Sequence, residues 1–430
     1  MKWTLINPRW EFEGSIYFGC REAHLPLEYG YSRALLEEHG HEVQIVDAQL
    51  FDLSADEVRR RVQDFAPDYT VITTAPSYLF WRCAPPELRI PQQTISNVAD
   101  IGGRIVVVGP HASTTPVATL RKTGADVVVM GECEEILPQL TGDWSAVPSI
   151  AWMQEGAPRV QGGPHAAKMD RLPALYWERA FIERHSHQHH RFDTQPKGPG
   201  AEMECSRGCP YHCTFCAKDN FRNLYRKRPQ ATILEELDSL LAQGVEYVYF
   251  IDEIYLPDER LLEEFVSRRF KFGVQTRVDL WNEKMLELLG RAGCVSVEAG
   301  VESITPEGRQ SLDKKCKMST QELSSRLIFA KQHIPFVQAN LIEMEQDDEA
   351  EVETWRQELQ AHGVWANRPV PLFPYPGSPD YTRRWGTPDD HAWERAVNYY
   401  LGSFDAFSDI QDQRPLSLSE LEQPVFRVLQ

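Results

Sequence analysis

Short apolar runs alternate with amphipathic stretches along most of this chain, and they do so in two separate series. That alternation constrains the fold more than any other feature. A strand followed by a helix, repeated, buries its strands by laying them parallel under a cover of helices. The first series runs from residue 1 to 145. "WTLIN" reads as a strand, "PLEYGYSRALLEEHG" as a helix closed by Gly40, and "HEVQIVDA" as a strand. Ser54 and Glu57 form a capping-box pair at the head of "SADEVRRRVQDFAPD". "YTVITTA", "GGRIVVVG" and "DVVVMG" are continuous β-branched runs. This order predicts an N-terminal doubly wound parallel sheet, which binds ligands outside the carboxyl ends of its strands. Those ends carry "NPRW", "TTAPSYLFW", "GPHAS" and "GECEE".

Residues 146–200 break the alternation. They are rich in Pro and Gly and read as a long connector, with a small β element around "SIAWMQEGAPRVQ". The second series fills residues 201–385, from "AEMEC" through "VEYVYFIDE", "GVQTRVD", "VSVEAGVES" and "PFVQANLIEM" to "VWANRPVPLFPYPGSP". About six strand–helix units make a partial barrel of the TIM type and not a closed eight-unit one. Residues 386–430 are acidic, carry Trp and Tyr, and are expected to pack as a helical appendage.

An apolar content of 42% and a charged content of 25% over 430 residues fit a globular chain that needs no disulfide to hold its core. A net charge of −18 opposes a broad nucleic-acid footprint. No long apolar span and no charged leader are seen, which predicts a cytoplasmic protein without a membrane segment. Nine cysteines, an odd number with four clustered, are unlike a secreted disulfide framework. In a reducing compartment such a cluster points to metal or redox chemistry.

The cluster is "ECSRGCPYHCTFCAK", residues 204–218. Cys209, Cys213 and Cys216 have the spacing CxxxCxxC. Three thiolates this close can hold three irons of a cubane and leave the fourth open to a ligand. Zinc is the alternative, but a zinc ribbon needs a second knuckle, and Cys294 and Cys316 stand alone. Cys205 reads as a packing thiol, with an extra redox or substrate ligand as the other reading.

With "ExSRGCPYxCxFC" the stretch resembles the radical S-adenosylmethionine (SAM) enzymes, in the version shared by methylthiotransferases and cobalamin-dependent members. The resemblance implies that Cys209, Cys213 and Cys216 bind a 4Fe-4S cluster whose open iron is chelated by SAM. An electron from the cluster then cleaves SAM to methionine and a 5′-deoxyadenosyl radical. It places Phe215 near the adenine. "YFIDEIY" sets Asp252 and Glu253 in the acidic positions of a second-strand motif. "TRVDLWNEKMLELLGRAGCVSVEAGVES" sets Arg277, Glu302 and Ser303 where an Arg and a Glu-Ser pair approach SAM. Ion pairing for Arg277 and turn capping for Glu302 are the competing structural roles. "PLFPYPGSPDY" resembles the closing segment of the barrel. One departure stands out: the family's Gly-rich turn after the fifth strand is replaced by "IEMEQDDEAE".

"GGRIVVVGPHAS" and "GADVVVMGECEE" resemble the cobalamin-binding, Rossmann-type domain found ahead of many radical SAM enzymes. The implied cofactor is cobalamin. Thr73, Thr74, Ser77 and Tyr78 could hydrogen-bond corrin amides, and Phe80 and Trp81 offer flat apolar surface. The same residues could instead build an interface with the barrel. Gly109 and Gly131 end strands where backbone can approach a ligand closely. The axial-ligand motif DxHxxG is absent, and His111 follows the fourth strand outside that context. It joins the two glycines among the candidate cobalamin-site residues. His185, His187, His189 and His190 could bind a metal, or belong to a solvated or substrate-lining loop.

The resemblance implies a cobalamin-dependent methyltransferase acting on an unactivated carbon of a small molecule. An electron donor such as flavodoxin or ferredoxin would serve it. A radical cyclase, oxidase or rearrangement enzyme of the same domain class is the alternative, with or without bound cobalamin. A non-catalytic iron–sulfur ligand sensor is the third reading. No RNA-binding β-domain like that of the RNA methylthiotransferases follows the barrel, so nucleic acid is not the expected substrate.

Overall fold

Two parallel sheets carry the chain in the computed structural model, which describes residues 1–16, 23–185, 198–403 and 415–422. The first sheet has strands β1 (Lys2–Asn7), β2 (Glu42–Asp47), β3 (Tyr69–Thr73), β4 (Arg104–Val108) and β5 (Val127–Val129), then β6 (Ile150–Gln154) and β7 (Ala157–Gln161). Their order is β2-β1-β3-β4-β5-β6-β7. The first five are parallel, with Ile6 beside both Val46 and Ile72 in register. β6 and β7 are antiparallel and lie within the stretch expected to be a connector. β6 pairs with β5, and β7 with β6, so the β5 edge, which would otherwise expose a row of backbone groups, is covered. One core packs Ile6, Val46, Ile72, Val107 and Val128 against Val58 and Val62 of the helix Ala55–Phe65. That helix is started by the capping box of Ser54 and Glu57.

The strand order reverses between β1 and β3. The crevice of such a sheet opens at that point, above Asn7 and Thr73. The compact unit built on this sheet comprises Met1–Trp177 together with Cys216–Leu224 and the chain from Pro374 onward. Within it Phe221 meets Trp81 edge-on at 6.0 Å, and Trp393, from the helix Ala392–Ser403, stacks on His111 at 4.0 Å.

The second unit comprises Glu178–Phe215 and Tyr225–Phe373. Its strands are β8 (Gly200–Met203), β9 (Ser206–Arg207), β10 (Arg226–Lys227), β11 (Tyr247–Phe250), β12 (Lys271–Thr276), β13 (Cys294–Glu302), β14 (Phe336–Leu341) and β15 (Trp365–Ala366). Six of them form a parallel sheet in the order β15-β14-β13-β12-β11-β8, with β8 and β15 as unjoined edges. That is the six-strand partial barrel the alternation predicts. β9 and β10 pair antiparallel beside it. Helices cover one face: Phe250 and Phe272 both pack on Phe265 of the helix Glu259–Arg268, each at 5.6 Å. Among the described residues no helix is long and apolar enough to cross a membrane.

Candidate active site

The cysteine loop leaves β8 and β9 and runs from Gly208 to Ala217 without helix or strand. Gly208 opens it with a φ of +77°, in the left-handed region that glycine enters at least cost. Two carboxylates beyond β11 hold this entry. Asp252 accepts the Cys205 N–H at 3.0 Å and the Ser206 hydroxyl, while Glu253 accepts the Gly208 N–H at 2.7 Å. Asp252 is buried, and that burial pushes its pKa up to about 7 against the pull of the Ser206 and Cys205 hydrogen bonds. The acidic pair expected near SAM is thus bonded to the backbone that leads into the cluster cysteines.

Cys205 is 7% exposed, and burial pushes its thiol well above its ordinary range. A neutral, enclosed thiol suits packing. Cys209, Cys213 and Cys216 are each partly exposed and form no disulfide. Burial raises the Cys213 thiol, with Lys314 and Arg277 pulling the other way. Among the described residues no three His, Cys, Asp or Glu side chains already converge into a metal cage. The loop instead offers three soft donors on irregular backbone, with no second zinc-type knuckle in the sequence. That donor set fits an iron–sulfur cluster with one open iron.

Around the loop the remaining candidates form a charged frame. The Arg277 guanidinium lies 4.1 Å over the Tyr211 ring. It donates to the Asp279 carboxylate at 3.1 and 2.7 Å and to the Lys314 carbonyl at 2.6 Å. The Lys314 ammonium donates to Glu302 Oε1 at 2.8 Å. Glu302 sits at a break in the β13–β14 register with a φ of +67°, a rare conformation for a side-chain-bearing residue. Ser303 donates to Asp347 Oδ1 at 2.7 Å, and Asp347 also takes the Ile304 N–H at 3.1 Å. The turn-capping role considered for Glu302 therefore falls to Asp347, from the acidic stretch that replaces the Gly-rich turn. Sequence reasoning missed Asp347 and Lys314. Phe215 is partly exposed at the end of the loop. His185 is enclosed against Glu202 of β8, Nε2 to Oε2 2.8 Å. His187, His189 and His190 lie outside the described residues.

At the carboxyl edge of the first sheet, Thr74 is buried and its hydroxyl faces the Gly109 backbone. A Cβ on Gly109, at a φ of +118°, would meet Thr74 Oγ1 at 2.4 Å. A Cβ on Gly131 would meet the His165 backbone at 2.3 Å. The room at both glycines is used by the chain itself. His111 is built into the packing: Nε2 contacts the Pro86 carbonyl at 3.0 Å, and burial lowers its pKa to about 3, so it is neutral. The segment after Thr74 is different. Ser77 Oγ and Trp81 Nε1 are buried without a hydrogen-bond partner, as is Glu28 Oε1, whose other oxygen accepts the Tyr78 N–H at 3.3 Å. Buried polar atoms of this kind fit the amide rim of a corrin, since leaving them unmet is costly. The Arg222 guanidinium covers the Tyr78 ring at 4.1 Å. The Phe80 side chain lies outside the described residues.

Gly109→Ala is expected to lower stability by about 2 kcal/mol through the clash and the disfavoured backbone angle. It should also reduce the cobalt retained after reconstitution with hydroxocobalamin. Thermal melting and metal analysis on the same sample check both.

A model of the Radical SAM superfamily matches residues 203–352, and one of the B12 binding domain matches residues 23–141. The chain carries a radical SAM domain and a B12-binding domain. A radical SAM domain implies a 4Fe-4S cluster and SAM, and a B12-binding domain implies cobalamin. An uncharacterized methyltransferase of Pyrococcus horikoshii is 26% identical over 65% of this chain and 61% of its own length. An anaerobic magnesium-protoporphyrin IX monomethyl ester cyclase of Rubrivivax gelatinosus is 25% identical over 76% of this chain and 60% of its own. The chain spans about three-fifths of the length of these curated relatives. The fold is shared with the radical SAM methyltransferase TsrM of Kitasatospora setae, solved with cobalamin and a [4Fe-4S] cluster. The TM-score is 0.71 at 19% identity, over 98% of this chain and 84% of that one.

Proposed function

We propose that this radical SAM chain is a cobalamin-dependent methyltransferase that acts on an unactivated carbon of a small molecule, in the cytoplasm, supplied with electrons by a flavodoxin or ferredoxin. The observation that carries the reading is one chain holding both a three-cysteine loop anchored to a partial barrel and a B12-binding sheet with unmet buried polar atoms at its carboxyl edge. When bound, the cluster and SAM supply a radical that can take hydrogen from an unactivated carbon, and cobalamin supplies a methyl carrier. Cys209, Cys213 and Cys216 hold the cluster. Asp252 and Glu253 fix where their loop begins, and Arg277 fixes Tyr211 between the first two of them in sequence. Glu302 presents a carboxylate already oriented by Lys314. Ser77 and Trp81 supply a hydroxyl and an indole N–H to corrin amides.

The Rubrivivax cyclase among the relatives keeps a second reading open: the same domains used for cyclisation or oxidation. Anaerobic reconstitution with iron, sulfide and hydroxocobalamin, followed by desalting, tests the cofactor set. The expected result is about one cobalt and about four irons per chain, the content of one cubane. Four irons without cobalt would overturn the methyltransferase reading. With a substrate, methyl transfer predicts S-adenosylhomocysteine together with 5′-deoxyadenosine. Only 5′-deoxyadenosine would favour the cyclase or oxidase class, and no reductive cleavage of SAM at all would favour a sensor.

A further inference from the structure

β13 does not end as a regular strand. Its last residue, Glu302, has a φ of +67°, and the register with β14 shifts between Gly300 and Glu302. A left-handed conformation costs free energy for a residue with a side chain and persists only where its neighbours hold it. Here it places a carboxylate. The Glu302 side chain folds back over Gly300, where a Cβ would lie 2.6 Å from Oε1. There it takes the Lys314 ammonium at 2.8 Å. The Lys314 carbonyl is in turn held by Arg277, whose guanidinium covers Tyr211 of the cysteine loop. The strained residue therefore sets its carboxylate into the charged frame beside that loop.

The turn that follows holds Glu302 there, and one side chain gathers that turn. Asp347 Oδ1 accepts the Ser303 hydroxyl at 2.7 Å, the Thr305 hydroxyl at 2.7 Å and the Thr305 N–H at 3.3 Å, while Oδ2 accepts the Ile304 N–H at 3.1 Å. All three residues after Glu302 are thus tied to one carboxylate, and hydrogen bonds to a charged acceptor are the stronger kind. Asp347 is itself placed by its neighbour: Asp348 caps the helix Glu349–Ala361 through the Ala350 and Glu351 N–H groups. Both acids belong to "IEMEQDDEAE", which stands where the resemblance puts a Gly-rich turn. The replacement exchanges a glycine turn for a side-chain clamp that reaches across 44 residues. We propose that Asp347 is a positioning residue for SAM: it locks the turn after β13, so that Glu302 stays left-handed and, oriented by Lys314, offers its carboxylate to the ligand's amino group. This deepens the radical SAM reading and rests on it for the identity of the ligand. Asp347 acts through Glu302 and not on SAM itself, so its effect vanishes once Glu302 has lost its charge.

The test is a double-variant cycle on the full protein reconstituted with iron and sulfide, with SAM affinity measured anaerobically by equilibrium dialysis of radiolabelled SAM. Glu302→Gln is expected to weaken SAM binding about tenfold or more, as loss of a charge-assisted hydrogen bond requires. Asp347→Asn keeps the shape but sets an amide N–H against the donors of the turn. It is expected to weaken SAM binding about tenfold while iron stays at about four per chain. The double variant should bind SAM no more weakly than Glu302→Gln alone, because both changes remove one interaction. A clamp with a merely structural role would give losses that multiply. Thr305→Ala removes one of the four donors and is milder. It should cost about threefold in affinity, again silently in the Glu302→Gln background, and it decides the matter if Asp347→Asn does not fold. Undiminished SAM affinity in the Asp347 and Thr305 variants, losses that multiply, or loss of iron in Asp347→Asn would each overturn the proposal. A wild type that binds no SAM with its cluster full would reject the radical SAM reading, and the proposal with it. Cluster-dependent SAM binding that ignores Asp347 would reject the proposal alone.

Discussion

Cys213→Ala is expected to leave the reconstituted protein with background iron and no detectable 5′-deoxyadenosine. Cys209→Ala and Cys216→Ala should behave alike. Each removes one of three thiolates, and two thiolates cannot hold a cubane against loss of iron. Cys205→Ala, four residues upstream of the first ligand, should keep about four irons per chain and full SAM cleavage. Its thiol is enclosed and held in the neutral form by burial, and the bonds that matter at that residue are backbone ones. The Cys205 N–H goes to Asp252 and its carbonyl accepts from the Arg228 N–H, so both survive the substitution. The variant should lose only about 1 kcal/mol of packing. Iron and sulfide analysis of the four variants beside the wild type decides the matter. A full iron content in the Cys213 variant would sink the cluster assignment.

The second large effect concerns Glu28, in the helix Leu27–Glu38 beneath the Tyr78 segment. Burial raises its pKa from 4.5 to about 8, the Tyr78 N–H and Arg222 pull it down, and Glu134 pushes it further up. The folded protein therefore holds a proton that the unfolded chain releases above pH 4.5. This contribution to stability is complete below pH 4.5 and is lost as pH rises through 8. A shift of this size is worth a few kcal/mol, at most about 5. Glu28→Gln keeps an oxygen for the Tyr78 N–H and has no proton to lose. Its melting temperature should therefore match the wild type near pH 5 and exceed it at pH 8.5, reversing the usual penalty for altering a buried residue. Melting curves of the two proteins that run parallel over this range would show that Glu28 does not titrate as described.

What the sequence disclosed follows from locality. The Ser54–Glu57 box and the β-branched strands declare themselves within a few residues, and both sheets were legible from them. So was the six-strand count of the barrel, because each strand–helix unit repeats the same short pattern. The cysteine loop stands out because its cysteines are close in sequence. The frame around it does not. Lys314 reaches Glu302 across 12 residues, Ser303 reaches Asp347 across 44, and Cys205 reaches Asp252 across 47. Nothing local distinguishes Asp347 from its acidic neighbours in "QDDEAE" until the fold delivers it to the turn after β13. His111 misleads for the same reason. It sits at a strand end, where ligands bind, but Trp393 covers it from far along the chain.

The first unit is assembled from three stretches of sequence, and that has a bearing on how such proteins can be cut and recombined. Its Trp81 is met by Phe221, from just past the last cluster cysteine. Lys122 pairs with Glu394 and with Glu422 at 2.8 Å, and Glu422 also takes the Leu88 N–H at 2.9 Å. Trp393 closes over His111 and donates its indole N–H to Thr115 at 3.1 Å. A fragment ending before the cysteine loop would carry a sheet with bare aromatic faces and an unneutralised lysine. Grafting a different barrel behind the first 177 residues would do the same unless the Cys216–Leu224 and post-Pro374 stretches travelled with them. The two halves are consecutive in name only: stretches of the first follow stretches of the second in sequence, so no single continuous cut exchanges the barrel without also removing part of the first unit.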